Sequence, residues 1–326
     1  MNFHKKLLLL HKYSDSIYMA VALIIIYNHR YDRNVEIVEG IYRPRFSHIF
    51  HLMPFYDGDK ENVIPVYDNS IYFQGYVAQG FRHFFHKDYA HYFFIADDMI
   101  LNPVINEKNY TEWFALEEDT CFITSLNDVP ASKYWSHYRS AVHFNPFYNK
   151  AFNTRGVEIS GILPAKEEAL KKMEAWGIKN TPVLFKNVYG NFFEKWKYKM
   201  KLLMEDIFVQ HVFYPKKVNY PVTYSYADLF IISQSSIARF SQYCGIFSAT
   251  HLFVELAIPT AIALSAEKIS VEKSIRLQGK ALWTSDDLQI ISDTYRKDLS
   301  LLLKDFPATY IYLHPIKLSQ WNTENL

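Results

Sequence analysis

The chain has 326 residues, enough to bury a sizeable core as one α/β domain with a helical elaboration or as two closely packed ones. Thirty-five Lys and Arg against thirty-four Asp and Glu leave a net charge of +1; the balance excludes recognition through a global basic field, and no nucleic-acid partner is expected. The two cysteines, Cys121 and Cys244, sit in apolar surroundings without CxxC spacing, which excludes a disulfide framework and points to buried thiols in a reducing compartment.

Lys5 and Lys6 precede only four apolar residues, Leu7 to Leu10, too few for the core of a secretory signal. The run from Met19 to Ile26 is far short of the ~20 residues that span a bilayer, so a cytoplasmic location is expected. Leu7 to Leu10 reads as a first buried strand, and Ser14 as the cap of a helix running to about Asn28. Strands are expected near Val35 to Val38 and His48 to Met53, with Asp57-Gly58-Asp59 as a turn. Ser70 to Phe85 reads as a helix feeding a strand at His91 to Ile95. That strand ends in two adjacent acids, Asp97 and Asp98.

Beyond Pro103 the pattern gives a strand at Cys121 to Ser125 and an irregular aromatic stretch from Ser132 to Arg155. Helices follow at Pro164 to Gly177 and Phe192 to Phe213, the second stopped by Pro215. Asp228 to Ser233 is a short strand, Ser235 to Tyr243 a helix ended by Gly245, and Ala249 to Ser265 a helix containing Pro259. Tyr310 to Trp321 is a closing strand that emerges into His314-Pro315 and Lys317. Strands alternating with helices predict a doubly wound, mostly parallel sheet, with ligands beyond the carboxyl ends of its strands. Asp97 and Asp98 fall on that edge.

A carboxylate at the end of an apolar strand loses hydration and stays ionised only beside a cation, a metal or several hydrogen bonds. Two such acids suit Mg²⁺ or Mn²⁺ bridging carboxylate and phosphate oxygens; the alternative is an Asx-type turn before Asn102-Pro103. With 10 glycines and neither GxGxxG nor GxxxxGK[ST], the chain lacks a phosphate-cradling loop. HExxH and GxSxG are also absent, which argues against zincins and α/β-hydrolases. The aromatic content, 17% with 25 Tyr and 25 Phe, fits an aromatic-rich core, a sugar-stacking surface or a peripheral contact at the inner face of a membrane.

On these residues the sequence resembles GT-A-type glycosyltransferases, which move a sugar from a nucleotide-sugar donor. The hydrophobic strand ending in Ala96-Asp97-Asp98 matches the DxD element of that family in place, though not in letter. Asp228 to Glu255 is similar in layout to the segment that leads to an acidic residue beneath the acceptor. The resemblance implies one GT-A-like catalytic domain over residues 1–326, with a nucleotide-sugar-binding half (1–130) and an acceptor-binding half (131–326). It implies Asp97, Asp98 and His314 as ligands of Mn²⁺ or Mg²⁺, and Lys317 as a clamp on the diphosphate. Arg43, with Arg45 beside it, becomes a candidate contact for the donor nucleotide, or a plain surface loop. In an inverting reaction Glu255 would be the general base, with Glu205 and Asp206 as rivals on the face of an amphipathic helix; in a retaining one it would orient substrate. Tyr134, Trp135, His137, Tyr138 and Arg139 could stack an acceptor sugar or pack a helical lid. The expected partners are a nucleotide-sugar donor and a carbohydrate or glycolipid acceptor, in assembly of a surface polysaccharide. A sugar nucleotidyltransferase and a non-catalytic glycan-binding scaffold are the competing readings.

Overall fold

The aliphatic run Ala20–Ile26 forms strand β1, where the sequence pointed to the latter part of a helix. The computed structural model describes residues 20–147, 159, 161–190, 195–324 and 326, so the strand expected at Leu7 to Leu10 and the cap at Ser14 lie outside the described residues. The strand prevails because β1 is covered on both faces: Ala22, Ile24 and Ile26 enter one core cluster, and Val21, Leu23 and Ile25 the other. An apolar run with no polar side is ambiguous between helix and strand, and a central strand is the element that uses both of its faces.

A second correction follows directly. Val35 to Val38, expected as a strand, lies inside helix α1 (Asp32–Tyr42). Three of its four residues are β-branched and apolar, but the buried positions Val35, Val38, Ile41 and Tyr42 keep the spacing of three and four that marks one helix face. Strands β2 (His48–Pro54) and β3 (Val63–Val66), helix α2 (Gln74–Phe84) and strand β4 (Tyr89–Ala96) then complete two strand-helix-strand units. After the short β5 (Ile100–Leu101) come β6 (Thr120–Ile123), β7 (Asn127–Asp128) and helix α3 (Trp135–His143), which occupies part of the stretch expected to be irregular.

Helix α4 (Lys166–Ala175) carries charges on its outer face, as its Lys and Glu spacing predicts, and α5 (Trp196–Met204) is shorter than the continuous helix expected there. Strands β8 (Thr223–Tyr224) and β9 (Leu229–Ser233) lead into α6 (Gln234–Ala249) and α7 (Val254–Ser265). Gly245 does not end α6. A Cβ there would meet the Ala78 side chain at 3.3 Å, so this glycine lets α6 approach α2 closely. Strands β10 (Lys268–Val271), β11 (Gln278–Ala281) and β12 (Tyr310–His314) close the fold.

The main sheet has seven strands in the order β10-β6-β9-β4-β1-β2-β3, and four of its six neighbouring pairs are parallel. The α/β class with a mostly parallel sheet therefore holds, with β9 inserted antiparallel between β4 and β6. Every residue of β4 is buried: Tyr92 and Phe94 face the cluster built with α2, α6 and α7, and Phe93 and Ile95 face the one built with α1 and β12. Phe94 stacks on Phe230 of β9 with centroids 4.6 Å apart, and each such buried ring contributes roughly 2–3 kcal/mol. A second sheet, β11-β12-β5, hangs beside the carboxyl end of β4.

Two core histidines are buried with uncharged hydrogen-bond partners. His51 on β2 accepts or donates at Nδ1 to the Tyr27 hydroxyl at 3.0 Å, and His91 on β4 bonds Tyr110 at 2.9 Å and the carbonyl oxygens of Glu117 and Thr120. Burial pushes each down from 6.5 to about 4. A depressed histidine contributes full stability above its unfolded value, and that contribution is lost as pH falls toward the folded one. Each histidine is expected to take about 3 kcal/mol from the unfolding free energy between pH 6.5 and 4, opposed in the same window by the buried carboxyls of Asp97 and Asp228, whose raised values favour the folded state as they protonate. The measurement is therefore a comparison of urea midpoints: the parent's should fall relative to His51→Gln and to His91→Gln as pH drops, and parallel profiles would mean that the ring is not held neutral.

Candidate active site

β4 ends in a tight turn. The Asp97 amide donates to the Ile26 carbonyl at 2.9 Å and the Met99 amide to the Ala96 carbonyl at 3.1 Å, so Asp97 and Asp98 sit at the corner where β1 and β4 run out. Asp97 is 6% exposed and its carboxylate is reached by Asn34 Nδ2 of α1 at 3.4 Å. Burial, and then the Asp98 charge, push its carboxyl up to about 7. Both acids open into a cavity of about 290 Å³, whose other walls include His29, Tyr31, Asn34 and Lys317. The Lys317 side chain makes no ion pair among the described residues.

The second sheet delivers His314 to the same corner. β12 pairs with β5 through Leu313 and Ile100, and the Ile316 amide donates to the Asp98 carbonyl at 2.6 Å, which fastens the closing segment over the acids. His314 Nε2 lies 2.8 Å from Asp98 Oδ1, yet neither buried atom has a well-aligned hydrogen-bond partner. Behind it, His314 Nδ1 is paired with the Tyr226 hydroxyl, which in turn bonds the Asp228 carboxyl. If Nδ1–H donates to Tyr226 and Tyr226 donates to Asp228, the Nε2 lone pair is left pointing at Asp98. This is how an outer carboxylate fixes the tautomer of a metal-binding imidazole.

Burial by itself lowers the basicity of His314, but the carboxylates of Asp98, Asp228 and Asp97 outweigh it and leave the ring raised above its ordinary value. The charge that holds a proton there is the charge that would attract a cation. Two donors at right angles on an ion at about 2.1 Å stand about 3 Å apart, so the spacing of Asp98 Oδ1 and His314 Nε2 suits neighbouring ligands. Among the described residues no group of three or more His, Cys, Asp or Glu makes a metal cage. Mg²⁺ and Mn²⁺ in phosphate-handling sites commonly take one or two protein ligands and complete their shell with water and phosphate oxygens, so Asp98 and His314 fit that role, with Asp97 behind them.

A larger cavity, about 640 Å³, opens on the far side of Tyr226 and contains Glu255. Glu255 lies in the first turn of α7, where a carboxylate is favoured by the helix dipole. Pro259 has no amide hydrogen, so the Glu255 carbonyl is released from the helix ladder and accepts from the Ser225 amide at 3.0 Å. The proline thereby ties the acid to the cavity wall. His137 of α3, 2% exposed, lies with Nε2 2.5 Å from Glu255 Oε2 and Nδ1 2.6 Å from Ser132 Oγ. With Ser132 donating to Nδ1, a neutral His137 donates to Glu255 and fixes its direction. Trp283 and Tyr134, each about 60% exposed, stand at the rim with Glu272 and Lys273. Aromatic faces beside acidic and amide groups suit a sugar ring.

The expected residues divide accordingly. Asp97, Asp98, His314 and Lys317 come together, and Glu255, His137 and Tyr134 share the adjoining cavity. Arg43 joins neither: it is exposed and pairs with Glu39 at 2.7 Å. Arg45 lies over the Tyr42 ring and donates to the Asn102 and Ile105 carbonyls, a packing role. Tyr138 is buried and donates to the Ser132 carbonyl, and the side chain of Trp135 lies outside the described residues. Asp206 is not on a solvated face; it is fully buried, bound by Arg139, His143, Tyr189 and Tyr214. Asp228 and Tyr226 were not singled out by the sequence. No protein-family model matches the chain, and no curated protein matches it in sequence.

Proposed function

We propose that the chain is a metal-dependent glycosyltransferase of GT-A type, moving a sugar from a nucleotide-diphosphate donor to a carbohydrate or glycolipid acceptor in assembly of a surface glycan. One observation carries the reading: two potential metal ligands, Asp98 Oδ1 and His314 Nε2, lie 2.8 Å apart and face each other with no other bonding partner among the described residues, at the carboxyl edge of a mostly parallel sheet, between a small polar cavity with a lysine and a large aromatic one with a carboxylate.

In this reading the diphosphate lies in the smaller cavity, where the Lys317 ammonium meets its outer oxygens and the rings of His29 and Tyr31 flank the base. Asp98 and His314 would hold Mn²⁺ or Mg²⁺, which when bound would offset the negative charge growing on the leaving diphosphate. The sugar crosses beside Tyr226 into the larger cavity, and the acceptor stacks near Trp283. Glu255, aimed by His137, takes the acceptor hydroxyl proton if the configuration inverts, and orients substrate if it does not.

Calorimetry with UDP, GDP, CDP and ADP, with and without Mn²⁺, tests this. One nucleotide is expected to bind, and only with the metal present. Metal-independent sugar binding with no nucleotide affinity would instead favour a glycan-binding scaffold. Turnover of a nucleoside triphosphate with a sugar phosphate would make the chain a nucleotidyltransferase.

A further inference from the structure

Helix α5 and the turn that follows it bury the wrong side. Trp196, Met200, Met204 and Phe208 recur every fourth residue and all are exposed, Phe208 to 70%. An apolar stripe ordinarily faces the core. Here the inward side holds Leu202 and the Asp206 carboxylate, which is clamped by Arg139 Nη2 at 2.8 Å and His143 at 3.2 Å. The segment is thus fastened to α3 through a buried acid, and its apolar strip is left facing outward.

The lysines say what covers it. Lys197 and Lys201 lie one residue on from Trp196 and Met200 and are exposed, and Lys195 and Lys217 are exposed at the two ends of the segment. Lys197 Nζ stands 5.8 Å from the Trp196 ring. Glu205, the neighbouring acid, is met by Arg139 at 3.3 Å. Aromatic and methionine side chains flanked by a row of lysines on one outward helix face are the chemistry of a helix lying in the interface of an anionic bilayer: rings and thioethers enter the acyl boundary and ammonium groups meet lipid phosphates. No helix among the described residues is long and apolar enough to cross a membrane, so the contact would be peripheral.

We propose that the face formed by Trp196, Met200, Met204 and Phe208, with Lys197 and Lys201, docks the protein on an anionic lipid surface. The docking does not rest on the transferase reading.

The test is flotation of the full chain with vesicles of phosphatidylcholine alone, and of phosphatidylcholine mixed equally with phosphatidylglycerol, at low and high salt. Binding is expected to the mixed vesicles only and to weaken with salt. Lys197→Glu with Lys201→Glu is expected to lower partition by roughly tenfold or more, since each lysine near an anionic surface is worth a factor of about five. Trp196→Ser, Met200→Ser and Met204→Ser together should do the same, with circular dichroism unchanged because all three side chains are exposed. No flotation of the parent overturns the proposal, as does equal flotation of parent and both variants. Self-association in sedimentation that the triple variant abolishes, without flotation, would assign the face to a second copy instead.

Discussion

Asp98→Asn is expected to abolish Mn²⁺-dependent binding of the nucleoside diphosphate and to cut turnover by a factor of about 10³ or more, roughly 4 kcal/mol of transition-state stabilisation. The amide keeps the size of the side chain, and the Asp98 carbonyl still accepts from the Ile316 amide, so the closing segment stays in place. What disappears is one ligand and one negative charge. The same substitution relieves its neighbour, because the Asp98 charge is among the causes that push Asp97 up to about 7. Loss of the His314 contact works the other way, so the melting temperature is expected to move by only a few degrees. Calorimetry for nucleotide and metal, a melt and a turnover assay separate these effects. If both side chains serve one ion, His314→Ala should give the same loss of metal-dependent binding, and the double variant should be little worse than either single one. Full activity in Asp98→Asn would remove the metal from the reading.

Much of the fold is legible where the periodicity is long. His48 to Met53, Ser70 to Phe85 and the strand before Asp97 are found where the sequence puts them, because burial on one or both faces writes a pattern over a full element. Met19 to Ile26 and Val35 to Val38 mislead for opposite reasons. The first is uniformly apolar, so its period is invisible and only the flanking β2 and β4 decide it; the second is too short a window on a helix face. The acids and His314 are visible as residue types at strand ends, but their meeting depends on β12 pairing with β5, a contact between residues more than 200 positions apart. Asp228 is harder still. It directly precedes β9, whose insertion antiparallel to β4 puts it beside the acids, with the Ala96 amide donating to its carbonyl at 3.0 Å, and nothing local in its sequence announces that register. Arg43 shows the converse: a cation close to a strand in sequence carries no information about which way the intervening helix turns it.

Glu255→Gln is expected to lower kcat by a factor of about 10² or more while leaving the KM for the donor near the parent value. The separation follows from the two cavities. In the proposed reading the donor's diphosphate would lie with Lys317 and Asp98, whereas Glu255 lines the larger cavity that Tyr226 also lines. Glutamine preserves the contact that matters for geometry, since His137 Nε2–H can donate to an amide oxygen as it does to a carboxylate, and the carbonyl tether to Ser225 is unaffected. The variant therefore removes a proton acceptor and little else, and a loss confined to kcat isolates that function. His137→Phe supplies the complementary case: the ring can still stack near Tyr224 and Phe253, but Glu255 loses its donor, so a smaller fall in kcat is expected, accompanied by a weaker acceptor KM as the carboxylate swings. If Glu255→Gln retains parental turnover, the carboxylate is not the base. If instead both variants lose donor affinity in parallel with rate, the larger cavity belongs to the donor, and the order of the two sites along the sheet edge is reversed.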